Sequence, residues 1–197
     1  MTTTTWKSDP THTDVQFSAK HMMVTTVRGK FTDVDGTITL DEANPQASSG
    51  SFTVRAASLN TGVEQRDGHL RSGDFFDADR YPDITFVSTA DEAKRGNDYA
   101  VTGDLTIRDV TKPVTFDVEF LGRYDGFEGR RAGFHATTRL NREDWGLTWN
   151  VTLETGGWLV GKEVKLEIDL ALDEVVVAAA ETVDATPATA EAQPATA

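Results

Sequence analysis

Seven stretches of this 197-residue chain alternate apolar and polar residues with period two, and an eighth does so weakly. The clearest reads Val114-Thr115-Phe116-Asp117-Val118-Glu119-Phe120, and Val164-Lys165-Leu166-Glu167-Ile168-Asp169-Leu170 follows the same rule. Successive side chains of a strand point to opposite faces, so each window builds a strand with one oily and one wet face. Eight half-buried antiparallel strands predict a closed barrel, whose interior is the first place to look for a site. Period two alone leaves a two-sheet sandwich open.

The windows span residues 14–20 (the weak one), 29–41, 51–58, 83–89, 99–108, 114–120, 131–141 and 163–173. Phe31 is out of phase with Val34, Ile38 and Leu40, which predicts a bulge in the second window. Breakers separate the windows, among them Tyr81-Pro82, Arg95-Gly96-Asn97, Tyr124-Asp125-Gly126 and Gly156-Gly157, and residues 109–113 read as a short connection. Strands joined by turns, without alternating helices, favour an antiparallel meander.

Two connections are too long for simple turns. In residues 60–82, Thr61-Gly62-Val63-Glu64 has the capping-box pattern, and Val63, Arg66 and Leu70 fall at helical spacing. A short helix is expected there. Residues 142–161 carry Trp145, Trp149 and Trp158 among glycines. Ordered loops of that length over a barrel end either bind something or plug it. From residue 178 to 197 the chain is rich in Ala, Thr and Pro, with no aromatic side chain. Such a tail buries too little surface to offset its ordering entropy and is expected to be disordered.

The net charge of −13 opposes phosphate backbones, so nucleic acid is not an expected partner. The chain has no Cys, which excludes disulfides and thiolate chemistry. No apolar run approaches the roughly 20 residues of a membrane span, so stable membrane insertion is not expected. The start, Met1-Thr2-Thr3-Thr4-Thr5-Trp6-Lys7, lacks a basic region followed by an apolar one, and a cytoplasmic protein is expected. His12, His21, His69 and His135 form no close metal-ligand spacing, and neither a nucleophile elbow nor a phosphate-cradling loop occurs. No enzyme, metal or cofactor is read from the chain.

The densest chemistry lies in Gln65-Arg66-Asp67-Gly68-His69-Leu70-Arg71-Ser72-Gly73-Asp74-Phe75-Phe76. Arginine presents a fork of donors to a phosphate or carbonyl, and phenylalanine lines the path of an apolar tail. A polar headgroup with an apolar tail suits that mixture. An Arg–Asp network pinning a helix to the barrel end, with both phenylalanines in the core, explains it equally. His21-Met22-Met23 carries the same ambiguity, since methionine fits irregular ligands and core gaps alike.

Read together, these segments resemble the YceI-like family of bacterial isoprenoid-lipid-binding proteins. The matching motifs begin with Asp9-Pro10-Thr11-His12-Thr13, Phe17-Ser18-Ala19-Lys20-His21-Met22-Met23-Val24 and Val27-Arg28-Gly29-Lys30-Phe31. They continue through Arg66 to Asp77, Tyr81-Pro82 and Gly103-Asp104-Leu105-Thr106-Ile107-Arg108-Asp109-Val110-Thr111. The late motifs are Leu140-Asn141-Arg142-Glu143-Asp144-Trp145-Gly146-Leu147-Thr148-Trp149-Asn150 and Leu159-Val160-Gly161. Trp145, Trp158 and Asp109 depart from the family pattern, with the larger side chains expected to shorten or reshape a lumen.

The resemblance implies an all-β, eight-stranded antiparallel lipocalin-like barrel over residues 6–175, with the short helix in the 60–82 connection. It implies a long isoprenoid-type lipid, of the quinone or prenyl-phosphate class, in an apolar lumen, and a protein that is often a homodimer. On that reading Phe17, Phe86, Leu105, Ile107, Phe116 and Phe134 line the lumen from the strands. Leu70, Phe75 and Phe76 line it from the helical connection, Met22 and Met23 from the first turn, and Trp145 and Trp149 from the late loop. His21, Arg66, Asp67, His69 and Arg71 are expected at the mouth, facing the headgroup. An enzyme acting on a lipid in the barrel, or a stress-related module with a filled barrel, are the alternatives.

Overall fold

The computed structural model describes residues 3–41, 43–44, 47–126, 129–154 and 156–176. The tail expected to be disordered at residues 178–197 lies outside the described residues. The strands are β1 (Thr3–Ser8), β2 (Asp14–His21), β3 (Thr25–Phe31), β4 (Val34–Asp41), β5 (Ser49–Arg55) and β6 (Leu59–Asn60). After helix α1 (Glu64–Arg71) come β7 (Asp83–Ala93), β8 (Asp98–Ile107), β9 (Val110–Gly126), β10 (Gly129–Asn141) and β11 (Val160–Glu174).

All pairings are antiparallel. β1 and β2 both pair with β11, β1 pairs with β4, and β2 pairs with β3. β1/β2, β3/β4 and β5/β6 are therefore single staves, each broken once, and with β7–β11 they make an eight-stave up-and-down barrel. β1 closes the ring against β11 through Trp6↔Glu174 and Ser8↔Leu172.

The breaks follow from residue chemistry. At the first, Pro10 lacks a backbone donor, and the Asp9 carboxylate accepts from the Thr11 backbone N–H (2.8 Å) and hydroxyl (2.6 Å) and bonds His12 Nδ1 (2.6 Å). These bonds, the Thr11 hydroxyl first, hold the Asp9 carboxyl well below the usual carboxylate range. The second break, at Thr32 and Asp33, is the phase change read at Phe31. Ser58 fills it, its Oγ accepting from the Thr32 and Asp33 N–H groups.

Several strand boundaries differ from the period-two windows. β1 is absent from them, because Thr3-Thr4-Thr5-Trp6 offers one large apolar residue and no alternation. Trp6 is nevertheless fully buried, packed with Ala132 and Leu172. β9 begins at Val110, so the β8–β9 turn is only Arg108-Asp109, with Arg108 at φ 59°, and Pro113 lies within the strand opposite Asp104. β9 also continues through Tyr124-Asp125-Gly126.

One end of the barrel carries the β2–β3 turn, α1, the β8–β9 turn and the 142–159 connection. The other carries the β4–β5 and β7–β8 hairpins. A cluster of Phe75, Leu105, Val114, Phe116, Leu140, Trp145 and Leu147 packs beneath the α1 end. Trp6, Ala132 and Leu172, with Leu40 and Phe120, fill the β1–β10–β11 side of the hairpin end.

Candidate functional site

The inward faces of the staves enclose a cavity of about 490 Å³. That lies inside the roughly 300–1,000 Å³ range of small-molecule sites. Its wall is almost wholly apolar. The strands supply Phe17, Phe86, Leu105, Ile107, Phe116 and Phe134, all at the inward parity that the alternation predicts. The α1 connection adds Leu70, Phe75 and Phe76, and the late loop adds Trp145. The void excludes a filled barrel.

Glycine keeps the phenylalanines flat on the wall. At Gly103 a Cβ would press on the Phe86 ring and stand 2.5 Å from the Val87 carbonyl oxygen. Lacking that atom, the site accepts the ring of Phe86, which meets Phe116 edge-on at 5.2 Å. Such glycines let a strand coil tightly while a neighbouring aromatic covers the gap.

The α1 end is closed. Phe75, Trp145 and Leu147 are each buried. Trp145 sits on a single 3-10 turn, Arg142–Trp145, whose N-cap Asn141 accepts from the Glu143 N–H and whose C-cap Gly146 has φ 76°. The indole Nε1 donates to the Leu105 carbonyl at 3.1 Å, which satisfies the one polar atom of a buried ring. Arg142 is buried beside it. Its Nε donates to Gly161 O (3.0 Å), Nη2 to Val160 O (3.4 Å) and Nη1 to Leu147 O. Burial lowers its pKa, yet a guanidinium stays charged, and the carbonyls replace its lost hydration.

The polar residues of α1 hold the plug and do not face the lumen. Val63, not Thr61, is the N-cap, and no side chain caps the helix. The capping box fails because Thr61 and Asp67 bond one another. The buried Asp67 carboxylate accepts from the Thr61 backbone N–H (2.9 Å) and its hydroxyl. Arg66 donates to Thr61 Oγ (2.7 Å) and Thr61 O (2.9 Å). Arg71 donates to the carbonyls of Ala57 (2.9 Å) and Leu59 (2.8 Å), tying the helix to the β5/β6 break. His69 bonds Asp74 at 2.9 Å and stands edge-on to Trp149 (4.5 Å) and Phe75 (5.2 Å).

Arg66, Asp67, His69 and Arg71, expected at a mouth, thus form the network that pins α1. His21 ends β2 opposite Val160 and is also off the cavity wall. Trp149 packs behind Phe75 and does not reach the lumen. Met22 and Met23, expected in the lumen, instead take left-handed φ (51° and 64°) at the β2–β3 turn and project outward, 44% and 60% exposed. Trp158 is exposed as well, with Lys162 Nζ 5.8 Å from its ring centre, so it takes no lumen volume. Asp109 accepts from the Tyr81 hydroxyl at 3.2 Å, outside the barrel.

At the hairpin end the wall turns polar, with Ser48, Ser49, Ser88, Asp91 and Tyr99. Ser49 is exposed and the others half-buried, so this end reaches solvent. The window at residues 83–89 stopped short of Asp91. Folding the chain back about Arg95-Gly96-Asn97 would have placed it opposite the inward Val101. Among the described residues no group of three or more His, Asp or Glu is placed to hold a metal.

A closed antiparallel barrel with one plugged end and an apolar lumen defines a lipocalin-like protein that binds hydrophobic ligands. The chain belongs to the YceI-like family, whose domain matches residues 6–172. A UPF0312 protein of Staphylococcus aureus is 39% identical over 166 residues, covering 83% of this chain and 94% of the relative. The crystal structure of BcnA from Burkholderia cenocepacia is similar, with a TM-score of 0.71 and 27% identity over 83% of this chain and 98% of that one. The YceI protein of Campylobacter jejuni is also similar (TM-score 0.68, 31% identity, 80% and 90% covered).

Proposed function

We propose that the protein binds and carries a long-chain isoprenoid-type lipid, its apolar tail held in the barrel lumen. The observation that supports this reading most is the continuous apolar cavity, closed at α1 and reaching solvent at the hairpins. Each buried CH₂ of a tail gains about 0.8 kcal/mol, against the cost of ordering the ligand. Such a wall recognises length and shape. The likeness to the isoprenoid-binding family favours a prenyl chain over other tails. Homodimer formation belongs to the same proposal, and the exposed Met22, Met23, Val24 and Trp158 support it.

Native mass spectrometry of gently purified protein, before and after adding prenyl lipids, tests the reading. A retained or added lipid at one per barrel is expected. Empty protein that takes up none of the added lipids would overturn it.

A further inference from the structure

The polar end of the lumen is created by a bulge. On β8, Tyr99, Val101, Leu105 and Ile107 face inward, and on β7 so do Ile84, Phe86 and Ser88. The register runs Ser88↔Gly103 and then Ala90↔Thr102, leaving Thr89 as the extra residue. One inserted residue inverts the parity of everything after it. Asp91, opposite Val101, therefore joins the lumen wall, and Ala90 and Glu92 turn to solvent.

Among the described residues, no other residue bonds the Asp91 side chain. It makes no ion pair among the described residues, and its hydrogen bond comes from its own backbone N–H. Burial pushes its pKa up. The polar groups that share this end of the cavity wall are hydroxyls: Ser48, Ser49, Tyr99 and Ser88, whose Oγ accepts from the Gly50 N–H at 2.7 Å. Lys94, at the start of the same hairpin turn, is tied to Asp117 at 2.5 Å. Among the described residues the one cation on the cavity wall is Arg142, at the plugged end, where all three of its nitrogens donate to carbonyls.

We propose that the lumen takes its ligand tail-first toward α1 and holds a hydrogen-bond-donating headgroup, a hydroxyl or an amine, at Asp91 and the surrounding hydroxyls, excluding phosphate headgroups. The proposal rests on the lipid-binding reading of the cavity and narrows it to one headgroup chemistry. A carboxyl group accepts from a donor in either case, and as a carboxylate it gains a charge-assisted bond. A phosphate meets the like charge of the carboxylate and, among the described residues, finds no free cation on the cavity wall to offset it.

The test uses the full chain and four C20 probes: geranylgeraniol, geranylgeranylamine, geranylgeranyl phosphate and the hydrocarbon phytane. Each displaces N-phenyl-1-naphthylamine from wild type, Asp91→Leu and Asp91→Lys at pH 7. Wild type is expected to bind the alcohol and the amine about 10- to 100-fold more tightly than the phosphate. Asp91→Leu brings the alcohol down toward phytane, and Asp91→Lys reverses the order in favour of the phosphate. Phytane still binds all three proteins, which certifies an intact lumen. Phosphate binding wild type as well as the alcohol, or Asp91 substitutions that leave the ranking unchanged while phytane still binds, overturns the headgroup proposal alone. Failure of every probe on wild type overturns the lipid-binding reading and this proposal with it.

Discussion

Phe116 shows how far single residues commit this fold. It is 6% exposed, touches Phe86 edge-on and forms part of the lumen wall. Phe116→Glu leaves an unpaired charge in an apolar wall and is expected to abolish cooperative unfolding, which a thermal melt followed by circular dichroism reads directly. Asp9 works through pH. Its carboxyl titrates below the usual range in the fold, so it stabilises the folded state above about pH 4, and that contribution fades as pH falls further. Asp9→Asn is expected to cost about 1–3 kcal/mol at pH 7 in urea melts. The gap to wild type should close toward pH 2. A gap that stays constant with pH would assign the loss to shape instead of charge. Phe116 was legible in the sequence because its environment is fixed by parity. Asp9 and Asp91 were not: Asp9 holds a break in the chain through its bonds to Thr11 and His12, and Asp91 lies beyond the 83–89 alternation, past the bulge at Thr89.

Among elements, α1 and the glycine-bearing strands decide whether a lumen exists. The helix is polar: Arg66, Asp67 and Arg71 tie it to the main chain at Leu59 and Thr61, and Leu70 packs against the core. Arg71→Ala removes two charge-assisted bonds to carbonyls and is expected to destabilise by about 1–3 kcal/mol. Amide hydrogen exchange should rise first in residues 64–78, ahead of the strands. Uniform exchange across the barrel would show that α1 is no separate plug. Gly103→Ala sets a Cβ against the Val87 carbonyl and the Phe86 ring, and overpacking of this kind costs about 1–3 kcal/mol. The existence of the helix was readable from its spacing and that of the strands from their alternation. The function of its charged face was not, since arginine and aspartate within one helix read the same whether they meet a ligand or Thr61.

For the whole molecule, the two barrel ends have different jobs. The dense charged segment and the tryptophan loop build a floor, and the plainer hairpins leave the opening. Trp145 lies on the floor of the lumen and Trp158 on the outer surface. A prenyl alcohol brominated at its tail end is therefore expected to quench Trp145 emission, an effect that Trp145→Phe removes and Trp158→Phe preserves. The eight staves themselves were visible in the chain as alternation at eight places, and the motif resemblance chose a closed barrel over the sandwich that alternation left open. Which end opens was not visible, because it depends on how the connections pack. The decisive measurement is a crystal structure of the full chain grown with geranylgeraniol. The tail is expected against Phe75 and Trp145, with the hydroxyl near Asp91 and Tyr99. Alcohol density outside the barrel, or a hydroxyl at Arg142 with the tail toward the hairpins, would contradict that placement.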